Sequence, residues 1–121
     1  MQLRELPNRA ERVPVQLTVH VVVDGETYSA ELVNLSLTGS FLEASFPVGS
    51  RLEIQVGLPG GDPLTLAGQV VREGWCPKFV DHPKVDNLAV RALGVGVRFD
   101  DLEDEDAMRL QDYLDLIMDR S

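Results

Sequence analysis

The chain has 121 residues, 44% of them apolar, and a formal net charge of −9. That is enough for one domain with its own core, and too apolar for a disordered chain. An acidic protein is a poor binder of a long phosphate backbone, which needs several cationic contacts.

The charge is unevenly spread. Residues 100–121 hold nine Asp or Glu against Arg109 and Arg120, so they carry −7 and leave −2 for the rest. No apolar run exceeds three residues, as in Val21-Val22-Val23, so nothing is expected to insert in a membrane. The start, Met1-Gln2-Leu3-Arg4-Glu5, has no apolar stretch fit for a signal peptide. The single cysteine, Cys76, has no partner for an internal disulfide. These features point to the cytoplasm.

Residues 1–12 read as a flexible arm carrying Arg9 and Arg12, followed by a domain over 13–121. Val13, Val15, Leu17, Val19, Val21 and Val23 alternate with Pro14, Gln16, Thr18 and His20, the period of a half-buried strand. Asp24-Gly25 marks a tight hairpin turn. A second strand follows from about Tyr28, with Tyr28, Ala30 and Leu32 on one face. It ends at Asn34-Leu35-Ser36-Leu37-Thr38-Gly39, where Gly39 is expected to supply a positive φ. A short third strand covers Phe41 to Ala44.

Leu52, Ile54, Val56 and Leu58 alternate with polar residues or glycine in a fourth strand. Pro59-Gly60-Gly61-Asp62-Pro63 is a turn, and a fifth strand runs from Leu64 to about Arg72. Residues 74–89 show no clear period and contain Gly74, Pro77, Pro83 and Asn87; they read as a long irregular loop. A sixth strand holds Leu93, Val95, Val97 and Phe99. The period then changes. Ala107, Leu110, Leu114 and Ile117 form the apolar stripe of a helix. Glu103, Asp104, Glu105 and Asp106 complement its dipole at the start, and Arg120 does so near its end. The predicted architecture is mainly β: six antiparallel strands closed into a barrel, with one C-terminal helix.

Enzyme chemistry finds no support. There is no nucleophile elbow, Walker loop or dinucleotide fingerprint. Cys76 and His82 are too few for a structural zinc site, so no metal is expected. Two segments remain. The Asn34–Gly39 turn presents an amide, a hydroxyl and a glycine that lets a flat group come close. Arg9 and Arg12 bring planar forks able to bond a phosphate or the guanine O6/N7 edge, and to stack on a base. Each also has a plain structural explanation, as a turn and as a solvated arm.

Taken together, these segments resemble the PilZ domain family of bacteria. Arg12-Val13-Pro14-Val15 looks like the family's Arg-Val-Pro strand start. Asn34-x-Ser36-x-x-Gly39 fits its Asp/Asn-x-Ser-x-x-Gly motif, and Gly94-Val95-Gly96-Val97-Arg98-Phe99 before an acidic helix resembles its last strand and helix. The resemblance implies a six-stranded antiparallel β-barrel with a terminal helix. It implies a non-enzymatic receptor for the second messenger cyclic di-GMP, taken as one molecule or as a dimer, with no further cofactor. The ligand-binding residues it implies are Arg9, Arg12, Asn34, Ser36 and Gly39. Ligand-dependent ordering of residues 1–12 would relay the signal to a protein partner, with no nucleic-acid polymer involved. The family's first motif is Arg-x-x-x-Arg, and here the position four before Arg12 is Asn8, with Arg9 one place late. The alternative is a PilZ-like interaction module that binds no nucleotide and works through the 74–89 segment.

Overall fold

Val13, Val19 and Val21 bury their side chains while Pro14, Thr18 and His20 stay exposed, so the alternation read from the sequence becomes the two faces of strand β1 (Val13–Val23). In this computed structural model, which describes residues 12–59, 61–86 and 88–119, five more strands and a helix follow. They are β2 (Glu26–Leu35), β3 (Gly39–Glu43), β4 (Arg51–Val56), β5 (Leu64–Val80), β6 (Leu88–Phe99) and α1 (Asp104–Asp119). Arg9, most of the arm assigned to residues 1–12, and Arg120 lie outside the described residues.

The strands close into a barrel in the order β1-β2-β3-β6-β5-β4, every pairing antiparallel. Pairing β1 with β4 removes the open edges that a flat sheet would expose. Asp24 and Gly25 turn β1 into β2 with φ of 52° and 79°, the left-handed pair a two-residue hairpin requires. Leu32, Leu42, Ile54, Leu66 and Val97 fill the interior, and Leu110 and Leu114 of α1 join the same core. Each fully buried leucine contributes roughly 1.5–3 kcal/mol by leaving water. Asp104, Glu105 and Asp106 occupy the first turn of α1, as its dipole favours. No helix among the described residues is long and apolar enough to cross a membrane.

Residues 74–89 are not an irregular loop. β5 runs on to Val80 and β6 begins at Leu88, and the two stay paired from Gly74↔Gly94 to Val80↔Leu88. This two-stranded ribbon continues past the last β4 pairing at Gln69, so Pro77 costs no ladder hydrogen bond on the β4 side. It folds back over the outside of β2 and β3. Cys76 and Ala92 of the ribbon bury against Val33 and Phe41 in a second, smaller cluster. Only this small patch is covered, while Trp75 and Phe79 stay exposed, so the apolar positions never settle into a clean period. Tyr28 keeps the phase of Ala30 and Leu32, but at the start of β2 it is exposed and edge-on to Phe46, while Ala30 and Leu32 are buried.

Candidate functional site

Bulges position the candidate residues. The register of β2 against β3 slips between Leu32 and Asn34. Leu32 and Leu35 still enter the barrel core, but Val33 joins the outer cluster, and the Asn34 side chain is left on the outer face. A second slip, in β1 between Pro14 and Leu17, lies directly opposite. Arg12 stands just before that slip, and its Nη1 donates to Asn34 Oδ1 at 3.1 Å. Asn34 Nδ2 in turn faces Cys76 Sγ at 3.9 Å, a weak contact to the ribbon.

The Ser36–Gly39 turn is closed by its own hydrogen bonds. The Ser36 amide donates to the Gly39 carbonyl at 2.9 Å. The Ser36 hydroxyl accepts from the Thr38 and Gly39 amides, both at 3.1 Å, and donates to the Gly39 carbonyl. Thr38 O accepts from the Phe99 amide, which anchors the turn to β6. Ser36 is fully buried. Its part is therefore to shape the turn, and its hydroxyl has no open side for a ligand.

Gly39 does not have the positive φ expected of it; among the described glycines only Gly25 and Gly49 do. What requires glycine here is space. A Cβ at 39 would overlap the Val97 carbonyl oxygen and stand 3.4 Å from Arg12 Nη2. Arg12, Asn34 and Gly39 are thus brought to one corner of the outer face, with Ser36 beneath it. Arg9 lies outside the described residues.

Three residues that sequence reading did not assign here also reach this corner: Cys76, Phe41 and Arg72. Burial pushes the Cys76 thiol up, against the nearby Arg72 and Arg12 charges, which favour the thiolate. Arg72 Cζ stands 5.3 Å from the centre of the Phe41 ring. Next to the corner, a cavity of about 230 Å³ opens between the start of β1 and the ribbon, lined by Pro14, Val33, Pro77 and Phe79 among others. His82 sits in the ribbon's turn, where its Nδ1 accepts from the Lys84 amide. The described residues hold no group of three or more His, Cys, Asp or Glu placed to bind a metal ion. The arrangement offers a planar cationic fork and an amide with donor and acceptor, above a buried glycine. Those are the groups that recognise an anionic, flat, hydrogen-bonding ligand.

Comparison with known proteins places the fold. The family model for the PilZ domain matches residues 7–116. Among solved structures, the PilZ domain of CeSA from a cellulose-synthesizing bacterium aligns with a TM-score of 0.60 at 14% identity, covering 90% of this chain and 99% of that one. The PilZ domain with c-di-GMP of YcgR from Escherichia coli aligns with a TM-score of 0.64 at 19% identity, covering 95% and 94%. MrkH, described as a c-di-GMP-dependent transcription regulatory factor, aligns with a TM-score of 0.58 at 16% identity, covering 93% of this chain and 52% of its own. No curated protein matches the chain significantly.

Proposed function

The chain belongs to the PilZ domain family, and from that premise we propose that it is a receptor for cyclic di-GMP. One observation carries the reading: Arg12, from the start of the barrel, meets the half-buried Asn34 on the outer face, above the buried Gly39. Arg12 and Arg9 clamp phosphate and guanine, Asn34 takes a guanine edge, and Ser36 and Gly39 hold the turn that presents it. The ligand draws residues 1–12 onto the barrel, and the altered surface is what a protein partner reads, a population shift without a reaction. YcgR, which shares the fold, has been solved with this ligand. Calorimetry with cyclic di-GMP tests the proposal on wild type and Arg12→Ala. Binding at tens of micromolar or tighter, lost in the variant, is the expected result; no heat from wild type rejects it.

A second reading has its own observation. Asn8 occupies the place of the first motif arginine, and the ribbon leaves Trp75, Phe79 and Leu93 exposed. On this reading the domain is an interaction module that binds no nucleotide, with these side chains anchoring a partner. Asn8→Arg separates the two: if that change creates cyclic di-GMP binding where wild type has none, the interaction module is the better account.

A further inference from the structure

A second arginine faces the corner from the far side. Asn34 pairs with Phe41, Phe41 with Gly96, and Gly96 with Arg72, so the four form one row across β2, β3, β6 and β5. The register slip between Val70 and Arg72 breaks the inward alternation of β5: Val70 stays in the core, and Arg72 is exposed on the outer face. Its stem lies across Gly96, where a Cβ would stand 3.1 Å from Cγ and 3.2 Å from Nε. Its head rests on the Phe41 ring at 5.3 Å, a cation–π distance. The side chain therefore runs back along the row, towards Asn34 and Arg12.

This guanidinium is held and yet available. Phe41 is fully buried beneath it, so much of the side-chain freedom is already lost before any ligand arrives. The side-chain ion pairs among the described residues join Arg51 to Asp100 and Lys78 to Glu43, and Arg72 takes part in neither. The guanidinium lies over Phe41, its Nη1 stands beside Gly74, and the residue as a whole stays exposed. Cys76, which faces Asn34, lies within electrostatic reach of both Arg72 and Arg12. A planar cation stacked on a ring, beside an amide and a second guanidinium, suits a purine base whose phosphate is gripped nearby.

We propose that Arg72 is a further ligand-contacting residue, its guanidinium stacked on Phe41 serving as the platform for one purine of cyclic di-GMP and supplying the second fixed positive charge that Asn8 cannot. The proposal rests on the receptor reading above. Lysine would keep the charge and lose the plane, so the two contributions separate by substitution.

The experiment is calorimetry with cyclic di-GMP at one fixed salt concentration, on wild type, Arg12→Ala, Arg72→Ala and Arg72→Lys. Circular dichroism and thermal unfolding of each establish that the variants are folded. Arg72→Ala and Arg72→Lys are both expected to bind about tenfold weaker or worse, the loss of one base–side-chain stack. Arg72→Lys keeps a long stem over Phe41, so it answers the question if Arg72→Ala unfolds. A folded Arg72→Lys that binds within twofold of wild type overturns the platform. If Arg12→Ala loses binding while both Arg72 variants keep it, the receptor reading stands and this inference alone fails. Wild type without binding ends both.

Discussion

Arg12 and Asn34 are 22 residues apart in sequence and are joined by a 3.1 Å hydrogen bond from Nη1 to Oδ1. The bond ties the entry of the first strand to the corner after the second. A guanidinium is a planar fork that can bond two acceptor atoms at once. Arg12→Lys keeps the charge but loses that plane. Cyclic di-GMP should bind this variant about tenfold weaker or worse, with an unchanged circular dichroism spectrum; equal affinity would show that charge alone suffices.

Gly39 has a packing reason for being glycine, and Gly57 has none. A Cβ at 39 meets the Val97 carbonyl oxygen, which is backbone and cannot swing away; a Cβ at 57 meets nothing within 4 Å. Gly39→Ala should therefore destabilise the fold by about 2 kcal/mol or more, read as a lower urea midpoint. Gly57→Ala, measured alongside, should stay within about 0.5 kcal/mol of wild type.

Two buried serines should respond in opposite directions. The Ser36 hydroxyl serves two backbone amides and the Gly39 carbonyl. Ser36→Ala leaves the amides short of a partner and should cost about 1–3 kcal/mol. Ser40 is equally buried, but its hydroxyl has no hydrogen-bond partner. Ser40→Ala removes an unsatisfied group and should leave stability unchanged or raise it by up to about 1 kcal/mol. Thermal unfolding of the pair is the measurement, and a large loss at Ser40 would contradict this assignment.

Cys76 makes stability depend on alkaline pH. Burial raises its pKa in the folded state, despite Arg72 and Arg12, so the fold prefers the neutral thiol. Its contribution is fully present below the ordinary thiol pKa and is lost as pH rises through the folded value. Unfolding free energy should therefore fall as pH rises above the ordinary thiol pKa of about 8.5, and more steeply in wild type than in Cys76→Ala. Parallel curves for the two proteins would remove Cys76 from the account.

What could be read before folding was whatever obeys one period for several residues. The Val13–Val23 alternation and the Ala107–Ile117 stripe each describe a single element against a single core, and both elements formed there. The bulges could not be read. One extra residue at Val33 or Val71 reverses the faces downstream, and the sequence carries no mark of it. That is why the ribbon reads as a loop in the sequence, and the fifth strand as ending near Arg72. Gly39 was recognised as necessary for the wrong reason: the constraint comes from β6, some sixty residues later in the chain, and a local rule about φ cannot express it. The meeting of Arg12 with Asn34 became visible only through the resemblance, because strand pairing brings them together and no local pattern does.

The position of β6 between β3 and β5 has a consequence for synthesis. A nascent chain emerging from the ribosome can zip its first three strands into a meander, and can pair β5 with β4. Pairing of β1 with β4 joins these into one open sheet, but until Leu88–Phe99 has left the exit tunnel it lacks the stave that closes it between β3 and β5. Stalling before that point leaves two sticky rims in the cell, and termination there yields a fragment fit for a chaperone or a protease rather than a shorter barrel.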